Sequence, residues 1–285
     1  MITLASKRYT IAAYAGTLDS RYPEGDGHAG ALFWDDFAAG DLTKTENSVS
    51  WGGVASVSVV SDAGNSSGYA ARFRYNPSAP TPSSQSQLSF SLGALYEQLW
   101  FKIRLVIPSH YSHTDGPSAD NNKFFRLWGG NVSDGDSGYT DFYVKFGSSL
   151  FPEAGDTGDS YLLNELGTDS AAVGPTGGTA ADNFINSADF GEEITIVMHF
   201  KVDTAGTAGA FYNYNDGNGV SELWKDGTRI FGYDTIQCRP SAGTNAFAFG
   251  YLMGWANSPY LQGAQTVDFL LREFVVAESN IFGVT

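Results

Sequence analysis

Arg72, Arg74, Trp100, Lys102, Arg104, Tyr143, Lys145, His199 and Lys201 have the types and spacing to act on an anionic sugar. Each is a polar or amphipathic member of an alternating run, so each is expected on the face of a strand turned away from the core. If the strands are neighbours, these side chains share one concave surface. Such a set meets the needs of β-elimination from a uronate. A cation or amide neutralises the sugar carboxylate, which makes the C5 proton acidic. A Tyr, His or Lys then removes that proton, and a Tyr returns one to the leaving oxygen. Lys and Arg on solvent-facing strand positions also discourage edge-to-edge pairing, which gives them a second, purely structural reading.

Two further sets bear on ligands. Trp255 and Tyr260, in the segment Gly254-Trp255-Ala256-Asn257-Ser258-Pro259-Tyr260, are aromatic residues of a turn-rich stretch and candidates for stacking on sugar rings. Asp134 and Asp136, around Gly135, with Asp141 nearby, offer hard oxygen ligands suited to Ca²⁺. The same Asp/Gly/Ser pattern is ordinary turn chemistry, and no glutamate closes an EF-hand loop.

Other chemistries find no motif. A retaining glucanase of sandwich architecture would carry Glu-x-Asp-x-x-Glu, with carboxylates about 5–5.5 Å apart. That motif is absent, and the adjacent Glu192 and Glu193 point to opposite faces of a strand. No Gly-x-Ser-x-Gly elbow and no phosphate-binding glycine pattern appears. His110 and His113 lack an obvious third ligand, and Cys238 reads as a small buried residue.

The elements that must position these residues read as strands throughout. Asp226-Gly227, between Glu222-Leu223-Trp224-Lys225 and Thr228-Arg229-Ile230, is a strong hairpin signal. Leu99, Phe101, Ile103, Leu105 and Ile107 alternate with Trp100, Lys102, Arg104 and Val106. Similar alternation covers residues 69–75, 87–92, 142–146, 194–202 and 247–253, and a last strand begins at Val267 and runs through Val276. No helix-period segment stands out. The fold class expected is all-β: a two-sheet antiparallel jelly-roll sandwich. An N-terminal arm over residues 1–31 precedes one jelly-roll domain over 32–285. The Gly/Asp/Ser/Thr-rich stretch 153–183 reads as a loop excursion, with Tyr161 to Leu166 as its one ambiguous piece.

With 34 glycines, 14% aromatics and 42% hydrophobic residues, the 285-residue chain can build a large core. Its net charge of −15 disfavours nucleic acid as a partner of the whole surface. Residues 72–145 nevertheless hold seven bases against six acids, so a local basic face is compatible with the acidic body. A single cysteine excludes an intrachain disulfide. No apolar run approaches the roughly 20 residues of a membrane span. The apolar part of residues 1–20 is shorter than the roughly 7–15 residues of an export signal, so it is read as mature protein.

Trp34-Asp35-Asp36-Phe37, Leu99-Trp100-Phe101-Lys102-Ile103-Arg104, the Glu222 to Gly227 hairpin and the closing Val267-Asp268-Phe269-Leu270-Leu271-Arg272-Glu273-Phe274, in that order, resemble the concanavalin A-like lectin/glucanase jelly roll. The resemblance covers roughly residues 32–278. Asn121-Asn122-Lys123-Phe124-Phe125-Arg126-Leu127-Trp128-Gly129-Gly130 is similar to the Gly-Gly-Lys-rich segment of some jelly-roll polysaccharide lyases, with Asn122 in place of the glycine before the lysine. That similarity implies that Lys123 and Arg126 join the cleft; if the chain is a lyase, Tyr143 and His199 are the further catalytic candidates near it. The chain also resembles phage-encoded members of the superfamily, many of them virion components.

The function first expected from these features is a non-catalytic virion-surface or adhesion protein with a jelly-roll, glycan-contacting domain. The alternatives are a polysaccharide lyase cleaving an anionic glycan and a calcium-dependent carbohydrate-binding module. In the first reading the partners are neighbouring virion subunits or further copies of the chain, located at a virion surface or outside the cell; in the others the partner is a polysaccharide. No cofactor other than calcium enters, and neither nucleic acid nor a membrane span is expected.

Overall fold

A computed structural model describes residues 28–75, 84–110, 122–129, 141–146, 160–166, 169–173, 187–206, 217–236, 245–256 and 266–285. The described strands are β1 (Ala31–Asp35), β2 (Thr45–Glu46), β3 (Val49–Ala55), β4 (Val57–Ser61), β5 (Tyr69–Tyr75), β6 (Ser84–Tyr96), β7 (Gln98–Val106), β8 (Asn122–Trp128), β9 (Asp141–Phe146), β10 (Ser160–Leu166), β11 (Asp169–Val173), β12 (Glu193–Lys201), β13 (Gly219–Lys225), β14 (Thr228–Ile236), β15 (Phe247–Ala256) and β16 (Val267–Ala277). They form two eight-stranded antiparallel sheets, so the chain is an all-β jelly-roll sandwich. The first sheet runs β14-β13-β12-β7-β16-β5-β4, with β1 beside β16, and the second runs β11-β10-β9-β8-β15-β6-β3-β2. Of the arm expected over 1–31, residues 1–27 lie outside the described residues, and Ala31 already pairs with Ala277.

Alternation decides which side of each strand is buried. Phe101, Ile103 and Leu105 of β7, Ile194, Ile196, Met198 and Phe200 of β12, and Leu88, Phe90 and Leu92 of β6 all enter one core. Rings join the sheets there. Phe101 meets Phe125 edge-on at 4.9 Å, Phe125 stacks on Phe200 at 5.6 Å, and Phe90 lies 5.1 Å from Phe274. The Asp-Gly signal becomes a two-residue turn with Asp226 at φ 50° and Gly227 at φ 79°, closing β13 onto β14 at Lys225 opposite Thr228. Positive φ at both central positions is what a type I′ hairpin requires, and glycine meets it without steric cost.

Two polar knots hold the rim. Asp35, at the end of β1, accepts from the Phe37 amide at 2.8 Å and from Trp51 Nε1 of β3 at 2.7 Å, so one carboxylate bridges the sheets. Asn65 is buried, and its Nδ2 donates to the carbonyls of Tyr69 and Arg272 at 2.6 and 3.0 Å, tying the β4–β5 turn to β16.

The loop excursion expected over 153–183 is corrected within the described residues: its ambiguous piece lies in β10, which pairs with β9 and with β11. Leu162, Leu163 and Leu166 do not alternate strictly, so period-2 reasoning passed over them.

Candidate functional site

The expected cation set is divided between the two sheets, which corrects the single shared surface. Arg72 and Arg74 on β5, Trp100, Lys102 and Arg104 on β7, and His199 and Lys201 on β12 belong to the first sheet. Tyr143 and Lys145 on β9, with Lys123 and Arg126 on β8, belong to the second. The core separates the two outer faces, so His199 and Tyr143 cannot act on one sugar ring from the outer sides of their sheets.

Charges on the first sheet's outer face are largely paired internally. Arg74 holds Asp268 with two bonds of 2.8 and 2.6 Å, and Arg104 holds Glu193 with two of 2.8 and 3.0 Å. Arg272 bridges Glu193, at 2.9 Å, and Asp62, at 2.7 Å. Lys102 lies 2.7 Å from Glu273, which His28 also reaches at 3.1 Å. Burial pushes the Glu273 carboxyl up, but hydrogen bonds and charge from His28 and Lys102 outweigh it and hold it at about 2. Arg72 donates to Ser58 at 3.0 Å. The acids that complete these pairs come from β12, β16 and the turn after β4, far away in sequence. Alternation along a single strand does not reveal them.

The aromatic part of that face is also occupied. His199 stacks on Trp100 with ring centroids 3.9 Å apart, and its Nδ1 lies 2.8 Å from Glu222. Trp224 stacks on the other side of this group, 5.6 Å from Trp100. Ile281, Phe282 and Val284 pack over the two tryptophans, and Trp224 Nε1 donates to the Thr285 carbonyl at 3.2 Å. Trp100 is therefore 8% exposed and Trp224 2%. This arrangement is a small outer core, and it corrects the expectation of a ligand surface for Trp100 and of an acid–base role for His199 beside Tyr143.

The second sheet's outer face is built differently. A bulge in β8 separates two pairs: Lys123 opposes Lys145, and Arg126 opposes Tyr143. Residues three apart fall on opposite faces of a regular strand; here the extra residue returns Arg126 to the face of Lys123. The register continues across the sheet, with Arg126 opposite Tyr251 of β15 and Tyr251 opposite Ser89 of β6. One row thus reads Tyr143, Arg126, Tyr251, Ser89. Arg126 and Tyr251 are buried, at 5% and 2% exposure. Along β6, Gln85 donates to Gln87 at 3.3 Å and Gln87 to Ser89 at 3.0 Å, forming an amide–hydroxyl ladder on the same side.

Sequence reasoning did not assign Gln85, Gln87, Ser89 or Tyr251 to a site. The alternation Gln85-x-Gln87-x-Ser89-x-Ser91 was the available signal, and it was used only to define a strand. Trp255 takes a register position opposite Gln85, whereas Tyr260 lies outside the described residues. Asp141 opens β9 opposite Trp128, while Asp134 and Asp136 lie outside the described residues. Among the described residues no group of three or more His, Cys, Asp or Glu side chains could hold a metal ion.

No protein-family model matches the chain, and no curated protein sequence matches it. Solved structures do. An endo-β-1,4-glucuronan lyase from the fungus Trichoderma reesei superposes with a TM-score of 0.54 at 13% identity, covering 87% of this chain and 96% of that one. The alginate lyase Aly36B in complex with alginate trisaccharide gives 0.50 at 12% identity, covering 81% and 88%. An alginate lyase from Aplysia kurodai gives 0.48 at 13%, covering 79% and 87%. At these identities the likeness is one of fold, a two-sheet β-sandwich.

Proposed function

We propose that the chain is a polysaccharide lyase that cleaves an anionic, uronate-containing glycan on the outer face of the second sheet. The observation that carries this reading is the β8 bulge, which sets Lys123 and Arg126 on one face in register with Lys145 and Tyr143. That face thereby gains a neutralising guanidinium, an amine and a phenol, the types that β-elimination needs. The two lyases with TM-scores of 0.50 and 0.54 act by name on glucuronan and alginate, which favours this reading over the virion-surface role first expected.

The roles follow from chemistry. Arg126, 5% exposed in the row between Tyr143 and Tyr251, supplies positive charge beneath the uronate carboxylate and stabilises the charge that develops beside C5. Lys123, as the free amine, accepts the C5 proton. The electron pair left behind forms the C4=C5 double bond as the C4–O bond breaks, and Tyr143 gives its proton to the departing oxygen. One proton leaves carbon and one reaches oxygen, with no water consumed.

Incubation with glucuronan, alginate, pectate and glycosaminoglycans tests this through the ultraviolet absorbance of the conjugated uronate product. Lys123→Ala and Tyr143→Phe are each expected to lower the rate by roughly a hundredfold or more, the range of general acid–base catalysis. His199→Gln is expected to lower the melting temperature and leave elimination in place. A flat trace on every substrate, or an inactive but folded His199→Gln protein, overturns the assignment.

A further inference from the structure

We infer that the glycan taken by the second sheet alternates uronate with neutral sugar, and that a polymer of consecutive uronates is a poor ligand. This rests on the lyase reading and adds the composition of the substrate to it.

The carrying observation is a division of charge along one sheet. β3, β6 and β15 adjoin in the order β15-β6-β3, and none of their residues is Asp, Glu, Lys or Arg. β8 and β9, joined to the other side of β15, bring Lys123, Arg126 and Lys145 against a single acid, Asp141. The cations of these five strands thus all stand in one half. The other half offers the ladder Gln85, Gln87 and Ser89, with Tyr251 at the boundary opposite Arg126.

Adjacent strands lie about 4.8 Å apart, so a polysaccharide laid across them meets a new strand about once per sugar. Over β8 and β9 a carboxylate meets strands of net positive charge. Over β15, β6 and β3 it gives up part of its hydration with only amides and hydroxyls in return, an exchange that disfavours an ion. A neutral sugar fits there, because amides and hydroxyls both donate to and accept from ring hydroxyls. A homopolymer of uronate places a carboxylate on every strand of this half, whereas an alternating polymer places fewer.

Net charge supports the same conclusion independently. The chain carries −15, which repels a densely charged polyanion more than one with half the charge per length. A net of two positive charges on β8 and β9, three cations against Asp141, offsets that repulsion locally and leaves the rest of the acidic surface unchanged.

The test compares hyaluronan, which alternates glucuronate with a neutral N-acetylhexosamine, with glucuronan, which is glucuronate throughout. Calorimetric binding and elimination rate are both measured at fixed salt with the full chain. Preference for hyaluronan in binding is expected, by about tenfold. Gln85→Lys adds a cation to an exposed position of the neutral half, and it is expected to reduce the preference about fivefold by favouring glucuronan. Gln87→Lys, one ladder step nearer Tyr251, is a second variant with the same expected direction. Equal binding of the two polymers, or a preference that neither variant moves, overturns the inference and leaves the lyase reading standing. Binding with the expected preference but without product release supports the inference and overturns the lyase reading. Failure to bind any uronate polymer overturns both.

Discussion

Asp35 shows how one buried residue couples the fold to pH. Burial pushes its carboxyl up from 3.8 to about 6, and hydrogen bonds from Trp51 and the Phe37 amide, with the charge of Lys44, offset only part of that. Because the folded value lies above the unfolded one, its contribution to stability is present below 3.8 and is lost as pH rises through about 6. Two pKa units correspond to about 3 kcal/mol. Asp35→Asn cannot ionise, so its melting temperature relative to the parent should improve as pH rises across that window. A constant difference across the window would show that Asp35 titrates normally. Glu273 acts in the opposite sense: its lowered value stabilises the fold above the usual carboxylate range and ceases to do so as pH falls through about 2. Asn65 is a second residue whose polar contacts hold distant segments together. Asn65→Ala removes the amide donor to the Tyr69 and Arg272 carbonyls inside the protein, a loss of about 2 kcal/mol measurable by chemical unfolding. An unchanged midpoint would mean that the β4–β5 turn is held by its other bonds alone.

At the scale of elements, alternation predicted the buried faces of β6, β7 and β12, and of β5 from Ala71 to Tyr75 but not at the exposed Tyr69, because a strand repeats every two residues whatever its partners. It did not predict places where the repeat breaks. In β16, Leu271 and Phe274 both enter the core although they are three apart, because the register to β7 shifts between Leu271 and Glu273. The β8 bulge is of the same kind, and there it decides which residues share the candidate site. Bulges arise from pairing between strands, so a single strand's sequence carries little trace of them. The segment after β16 was likewise not recognised as a cover for Trp100 and Trp224, because its anchoring contacts join residues far apart in sequence. Phe282→Ala should uncover that aromatic group, giving red-shifted tryptophan emission and a lower melting temperature without loss of strand content by circular dichroism. Unshifted emission would show that Ile281 and Val284 suffice as a cover. Gly227→Ala tests the hairpin: the residue sits at φ 79° with open space around it, so the cost is conformational strain of about 1 kcal/mol.

On the scale of the whole molecule, the sequence displayed the cations but not their partners. Arg74, Lys102 and Arg104 look equivalent to Lys123, Arg126 and Lys145 when read along the chain. Only the assembled sheets pair Arg74, Lys102 and Arg104 with Asp268, Glu273 and Glu193 in the first sheet and place Lys123, Arg126 and Lys145 on strands of the second. This separation depends on the core that keeps the faces apart. Phe101 touches Phe90 and Phe125 of one sheet and Phe200 and Phe274 of its own, so it is shared by both layers. Neither sheet can bury its inner face without the other, and the two should therefore unfold together. Phe101→Ala opens a cavity at that junction and should cost about 4 kcal/mol. Tryptophan fluorescence, which includes Trp100 and Trp224 on the first sheet's outer face, should then lose its native signal at the same denaturant concentration as far-ultraviolet circular dichroism, which reports both sheets. Two separated transitions would show instead that one sheet retains its structure alone, and that the pairing of the sheets is not what fixes the two faces.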